Sequence, residues 1–222
     1  MIMTEVLNLK QKLQQEHKQG LVLDIDETLS WTIGYWVEKM QIKFGNPEEL
    51  SVQEMVRKYR YVQNIPYWQT EEAWQWIKDA VYSDSLQEEL ALIENANHVV
   101  QKINKVIPIV GYITVRPQEV ENGTRRWLSK HQFPMTDIIA RPPTVHFKDG
   151  TKWKADILAF LYPEVTGIID DNPALIENLP ADYRGTIFLY DANLAPRTDI
   201  KVTPCNNWKE VHKKVRREYK HD

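Results

Sequence analysis

Cysteine is almost missing from this chain. Cys205 is the single one among 222 residues, which excludes an intramolecular disulfide framework and fits a reducing compartment. Nowhere does an apolar run approach the ~20 residues needed to span a bilayer, so no membrane partner is expected. A dominant charge of one sign is also lacking. The formal net charge of −3 argues against a general nucleic-acid or membrane-surface coat, which leaves only local patches for such contacts. None of the six histidines has metal-ligand spacing, and there are no internal repeats or low-complexity tracts. Met1 to Gln19 is polar with apolar residues at helical spacing, unlike a secretory signal. The expected class is a soluble, cytoplasmic protein, and no pattern specifies its oligomeric state.

What the chain does have is enough apolar material for a sizeable core, 42% of its residues, and an abundance of aromatics, including eight tryptophans and ten tyrosines. Ile2, Val6, Leu9 and Leu13 form one stripe of an amphipathic helix. Gly20 releases the chain into Leu21-Val22-Leu23, a short apolar run that ends in Asp24 and Asp26. As a buried strand, its period of two puts both acids on one side and Ile25 on the other. From Trp31 to Asn95 the pattern is helical without a convincing strand. Its stripes are Val52-Met55-Val56-Tyr59, Trp74-Ile77-Val81 and Leu86-Leu90-Ile93, broken near Pro47 and Pro66. Ala96, Val99, Val100 and Ile103 then lead back towards a strand.

Beyond that block the rhythm is strand, helix, strand. Strands are expected over Val106–Ile113, Ile138–Ile139, Val165–Ile169 and Thr186–Tyr190, and helices over Glu119–Lys130, Ala155–Leu161 and Trp208–Tyr219. Such alternation implies right-handed crossovers and a parallel sheet covered on both faces. The predicted fold class is α/β, a Rossmann-like parallel sheet with helices on both faces plus a smaller all-helical cap. The division is residues 1–30 and 96–222 for the core and 31–95 for the cap.

Open parallel sheets bind ligands at the carboxyl ends of their strands. At those ends stand Asp24 and Asp26, then Thr114 followed by Val115-Arg116-Pro117, then Asp170-Asp171. Lys154 shares a helix face with Ile157, Leu158 and Leu161, the stripe expected to pack on the sheet, so its ammonium is carried inward. Lys148 and Lys152 are its nearby competitors for that place. Carboxylates this close repel one another unless a cation relieves them, and oxygen ligands of this kind suit magnesium. Asp170 and Asp171 also compete as the N-cap of a helix opening at Pro173.

The ordered set resembles the haloacid dehalogenase-like hydrolase superfamily. The resemblance runs from Leu21 to about Leu175, through Asp-x-Asp-x-Thr at Asp24 to Thr28, Thr114, Lys154 and Asp170-Asp171. The second aspartate of the first motif is that of phosphatase members, and the helical block after it resembles the cap found there. The resemblance implies a Mg²⁺-dependent phosphatase acting on a phosphate monoester. Asp24 would be the nucleophile and Asp26 the proton carrier, with a pKa near working pH. Thr114 and Lys154 would hold the transferring phosphoryl oxygens. Asp24, the Asp26 carbonyl and Asp171 would hold the metal, with Asp170 supporting.

Thr28, Arg116 and Trp31 are candidate substrate-binding residues, Arg116 either as an anion clamp or in a surface ion pair. Trp31, Tyr35, Trp36, Tyr67, Trp68, Trp74 and Trp76 could be core packing or a stacking platform, which makes nucleotides one candidate among small phosphorylated molecules. The basic terminal helix, carrying Lys209, Lys213, Lys214, Arg216, Arg217 and Lys220, reads first as a solvated face, with nucleic acid a disfavoured but not excluded partner. Two alternatives are a nucleic-acid end phosphatase and a non-catalytic binding member of the fold.

Overall fold

The structure, a computed structural model, describes residues 4–220. Helix α1 (Thr4–Gln15) buries Val6, Leu9 and Leu13; Ile2, the first residue of the expected stripe, lies outside the described residues. Strand β1 (Gly20–Leu23) follows, every residue buried. Five α-helices then intervene before the next strand: α2 (Thr32–Phe44), α3 (Val52–Tyr59), α4 (Glu71–Val81), α5 (Asp84–Glu89) and α6 (Ala96–Asn104), with single 3-10 turns at Val62–Asn64 and Pro66–Trp68. The rest alternates as far as β5, which β6 follows without a helix between: β2 (Ile109–Pro117), α7 (Glu121–Lys130), β3 (Asp137–Arg141), α8 (Gly150–Leu161), β4 (Val165–Asp170), α9 (Pro173–Asn178), β5 (Thr186–Tyr190), β6 (Val202–Cys205) and α10 (Trp208–Tyr219).

The six strands form one sheet in the order β3-β2-β1-β4-β5-β6, with every neighbouring pair parallel. Winding goes outwards one way from β1 to β3 and the other way from β4 to β6. The direction therefore reverses between β1 and β4, where a crevice must open at the strands' carboxyl ends. Alternation along the strands feeds two apolar clusters, one on each face. Val22 and Ile168 pack with α1, α8 and α9, whereas Leu21, Leu23 and Ile169 pack with α6, α7 and α10.

The helices between β1 and β2 do not form a separate core. Tyr35, Trp36, Met40, Met55 and Trp68 belong to the same cluster as Leu21 and Leu23. The chain enters and leaves that block side by side: the Trp31 amide donates to the Ala91 carbonyl and the Ile93 amide to the Leu29 carbonyl, both at 2.8 Å. A second clasp joins α5 to α7, where the Gly123 amide donates to Asp84 Oδ1 at 2.7 Å. A Cβ at Gly123 would lie 2.2 Å from the Asp84 carbonyl oxygen, so only glycine allows this approach.

Several expected elements shift. The strand expected over Val106–Ile113 runs instead from Ile109 to Pro117. Pro108 has no amide to give, and its carbonyl accepts from the Leu21 amide at 2.9 Å as the ladder begins. At the far end the strand continues through Thr114 and Arg116, whose buried side chains are hydrogen-bonded. Helix α4 was expected to bury Trp74, but it buries Ala73, Ile77 and Ala80, and Trp74 turns outwards, 44% exposed. The N-cap of α9 is Asn172, whose side chain accepts from the Ala174 amide at 3.0 Å; neither Asp170 nor Asp171 does this.

Candidate active site

β1 stops at Leu23, but the Asp24 amide still donates to the Ile169 carbonyl at 2.9 Å. Asp170 is the last residue of β4. Their carboxylates thus start from adjacent parallel strands at the point where the winding reverses. After Asp24 the chain closes a single turn, with the Leu29 and Ser30 amides both donating to the Ile25 carbonyl at 2.8 and 2.9 Å. Ile25 is buried in the core, while Asp24 and Asp26 both face a cavity of about 590 Å³. The period of two seen in the sequence therefore holds past the strand's end.

Of the three competing lysines, Lys154 reaches this place. Ile157, Leu158 and Leu161 seat its helix on the sheet, and its ammonium contacts Asp24 Oδ1 and Asp170 Oδ2, the latter at 2.5 Å. Lys152 instead pairs with Asp156 at the surface, at 3.1 Å, and Lys148 is exposed at the cavity mouth. Burial disfavours the charge on Lys154, but Asp170 and Asp24 override it and raise its pKa. Asp24 goes up to about 7: burial outweighs the lysine beside it, and Asp170 and Asp26 add repulsion. Burial, Asp170 and Asp24 likewise push Asp171 well above the usual carboxylate range.

Asp26 behaves differently. Burial pushes its pKa up, yet it ends below the ordinary carboxylate value because Arg116 lies against it. Arg116 Nε donates to both Asp26 oxygens at 3.0 and 3.1 Å, and Nη2 to Oδ1 at 2.7 Å. The Thr32 hydroxyl also donates to Asp26 Oδ1, at 2.6 Å. Arg116 is not in a surface ion pair; its guanidinium is engaged by Asp26 from within. It is buried at the cavity wall, and two further donors go to the Ser30 and Thr124 hydroxyls. A proton carrier poised near neutrality was expected at Asp26; an ion-paired carboxylate is found.

The other candidates have these places. Thr28 is buried and its hydroxyl donates to Asp171 Oδ1 at 3.1 Å, so it orients an acid and does not line the cavity. Thr114 is also buried and its hydroxyl accepts from the Arg116 amide at 3.2 Å. Trp31 is absent from the cavity wall; its indole lies over Gly34 in the first turn of its own helix. Tyr35 donates to Glu89, Trp68 is buried, and Trp76 packs edge-on against Trp36 and Phe44. Trp36 and Trp74 alone of the aromatics singled out in the sequence reach the cavity.

One site residue had no sequence signal beyond standing next to Asp26. Glu27 takes a φ of 56°, a region that residues with a Cβ seldom enter. This aims Oε1 at the Ile33 amide, 2.7 Å away, where it caps a helix whose own N-cap, Trp31, offers no side-chain bond. Burial raises this carboxyl to about 7 despite that bond. Arg60, Tyr61 and Phe147, also on the cavity wall, were missed because none lies in a periodic pattern.

Asp24, Asp170 and Asp171 offer oxygens that all lie within 4.8 Å of one another. With Lys154 the cluster still carries excess negative charge, and that repulsion adds to burial, the larger cause, in raising Asp24 and Asp171. A divalent cation relieves it, and a set of carboxylate oxygens fits a hard ion such as Mg²⁺. Asp170 is already committed to Lys154 and to the Asn172 amide at 2.8 Å, whereas Asp171 accepts only from Thr28 among the described residues.

The chain matches no protein-family model and no curated protein. It does match solved structures. A dehalogenase with intermediate complex superposes with a TM-score of 0.54 at 14% identity, covering 87% of this chain and 95% of that one. A HAD-superfamily hydrolase from Ehrlichia chaffeensis gives 0.49 at 15% identity, over 90% and 98% of the two chains. A phosphoserine phosphatase from T. onnurineus gives 0.48 at 14%, over 89% and 94%. The first superposition, together with the six-stranded parallel sheet and its acids at the reversal point, establishes the architecture: the chain shares the fold of that dehalogenase, a Rossmann-like parallel sheet covered by helices on both faces.

Proposed function

We propose that the protein is a Mg²⁺-dependent phosphomonoesterase that works through an aspartyl-phosphate, in a reducing, cytoplasmic setting. The observation that carries this reading is the buried carboxylate of Asp24 on a cavity floor, touched by the Lys154 ammonium and ringed by Asp170 and Asp171. Asp24 attacks phosphorus and the ester oxygen departs with its electron pair, taking a proton from Asp26. Water then attacks the aspartyl-phosphate, giving its proton to Asp26 and releasing phosphate and Asp24. Lys154 binds phosphoryl oxygens and steadies the nucleophile, and Thr114 supports the strand end from beneath through the Arg116 amide. Asp24, Asp171 and the Asp26 carbonyl would hold magnesium, which would supply charge neutralisation for an anion meeting an anion.

Asp26 must carry a proton in the first step although Arg116 favours its ionised form. A phosphate dianion arriving beside it opposes that preference, since a nearby like charge raises a carboxyl pKa. The ion pair also holds the carboxylate in one orientation. The helices 31–95 act as a cap over the strand ends, excluding bulk water and limiting the site to a small phosphorylated molecule such as a nucleotide. The roofed cavity of about 590 Å³ favours that class over a nucleic-acid end.

The test is phosphate release from a generic aryl phosphate with Mg²⁺, for the wild type and for Asp24→Asn. Loss of at least a thousandfold in the variant is expected. Equal rates refute the reading and leave a binding protein on this fold.

A further inference from the structure

Exposed large apolar side chains on a folded surface are usually scattered singly and mean little. Here three of them, Tyr61 at 40%, Trp74 at 44% and Phe147 at 71% exposure, gather on one cavity, the one whose floor holds Asp24. They come from separate parts of the chain: the turn after α3, the outer face of α4, and the loop before α8. Trp36 stands in the same wall and is held edge-on by Tyr35 and Trp76, with ring centroids 5.0 and 6.4 Å away. Apolar Ile33, Ile77 and Val81 complete the upper wall.

The mouth carries two cations, Arg60 and Lys148. Arg60, at the end of α3 with a φ of 64°, lies 5.5 Å from the centroid of the Tyr61 ring, a cation over an aromatic face. Neither cation makes an ion pair among the described residues. The carboxylates and Lys154 are confined to the floor. A ligand reaching from floor to mouth thus meets a phosphate site at one end and aromatic faces at the other.

We infer that the substrate's alcohol carries a flat aromatic ring, which lies against Trp74 and Tyr61 from the helical side and Phe147 from the sheet side. This rests on the phosphomonoesterase reading and narrows it to one leaving-group class. Aliphatic alcohols such as glycerol or serine leave these faces wet, whereas an aryl-methyl group or a nucleobase covers them. Aromatic stacking of this kind contributes a preference of about tenfold or more.

The test compares benzyl phosphate with ethyl phosphate, esters of nearly equal intrinsic reactivity that differ by the ring, with Mg²⁺ present. A kcat/KM at least tenfold higher for the benzyl ester is expected in the wild type. That ratio should collapse towards one in Trp74→Ala and Tyr61→Ala, and stay unchanged in Leu194→Ser, an exposed apolar residue away from the cavity. Nucleoside monophosphates form a further arm: preference for them over benzyl phosphate identifies the ring as a nucleobase, and the reverse identifies a simple aryl group. A ratio near one in the wild type, or one that survives Trp74→Ala, overturns the inference. Turnover of neither ester refutes the phosphatase reading instead, and calorimetric binding of the two esters then reads the same ring preference without chemistry. Equal affinities in that measurement overturn the inference independently.

Discussion

Arg116→Met removes a guanidinium that is only 3% exposed from a carboxylate whose side chain is 34% exposed. The two ends of this pair are unequally solvated, and that sets the magnitude. Deleting one partner of a fully buried pair costs about 3–5 kcal/mol. Asp26 faces the cavity, so water takes over part of its solvation, and the Thr32 hydroxyl remains; about 2–3 kcal/mol is the expected loss at pH 7. The pH dependence separates charge from packing. Arg116 depresses the folded-state pKa of Asp26, so the pair's contribution is present above the ordinary carboxylate value and is lost as pH falls through the depressed one. Urea unfolding followed by tryptophan fluorescence, from pH 7 down to pH 3, should show the gap between wild type and variant shrinking. A double-mutant cycle with Asp26→Asn should return most of the gap as coupling energy. A gap that is constant with pH, or a coupling energy below about 0.5 kcal/mol, refutes the reasoning and makes Arg116 a packing residue.

Without metal, Asp24 and Glu27 both have folded pKa values raised to about 7, so the stability they contribute is fully present below their unfolded values and is lost as pH rises through 7. Thermal unfolding in chelator should therefore occur at lower temperature at pH 8 than at pH 5.5, by about 3 kcal/mol or roughly 5–10 °C, with Mg²⁺ restoring the difference at pH 8; a flat profile contradicts the charge accounting. Gly123→Ala forces a Cβ to within 2.2 Å of the Asp84 carbonyl, and a loss of about 2–3 kcal/mol is expected from the denaturant midpoint. Lys154→Met should abolish phosphate release, while Lys152→Met, which cuts only a surface pair with Asp156, should change stability by less than about 0.5 kcal/mol and leave turnover intact.

How much of this was legible beforehand depended on the range of the cause. Thr186–Tyr190 was read to its ends as an apolar run buried on both faces, and Trp208–Tyr219 because burial of one face imposes a period on neighbouring residues. Lys154 was legible for the same reason, since three apolar residues on its helix fixed which way it pointed. β6 was missed: it is an edge strand, only Cys205 in it is buried, and Pro204 interrupts it. Edge position removes the demand for an apolar run, and with it the signal.

The partnership of Arg116 with Asp26 spans 90 residues and is absent from any local pattern, because a long-range charge pair needs one residue at each end and no periodicity between them. The aromatics divide by the same rule. Trp31 and Trp74 have equal standing in a sequence, yet one folds over Gly34 and the other is left outwards because Ala73 and Ala80 are small enough to pack α4 closely. The chemistry of a phosphate site can be written in one strand and the turn after it, since nucleophile and proton carrier must be neighbours. Recognition of the alcohol has no such constraint. Tyr61, Trp74 and Phe147 need share only a cavity, so the residues that choose the substrate become visible only when the chain is folded.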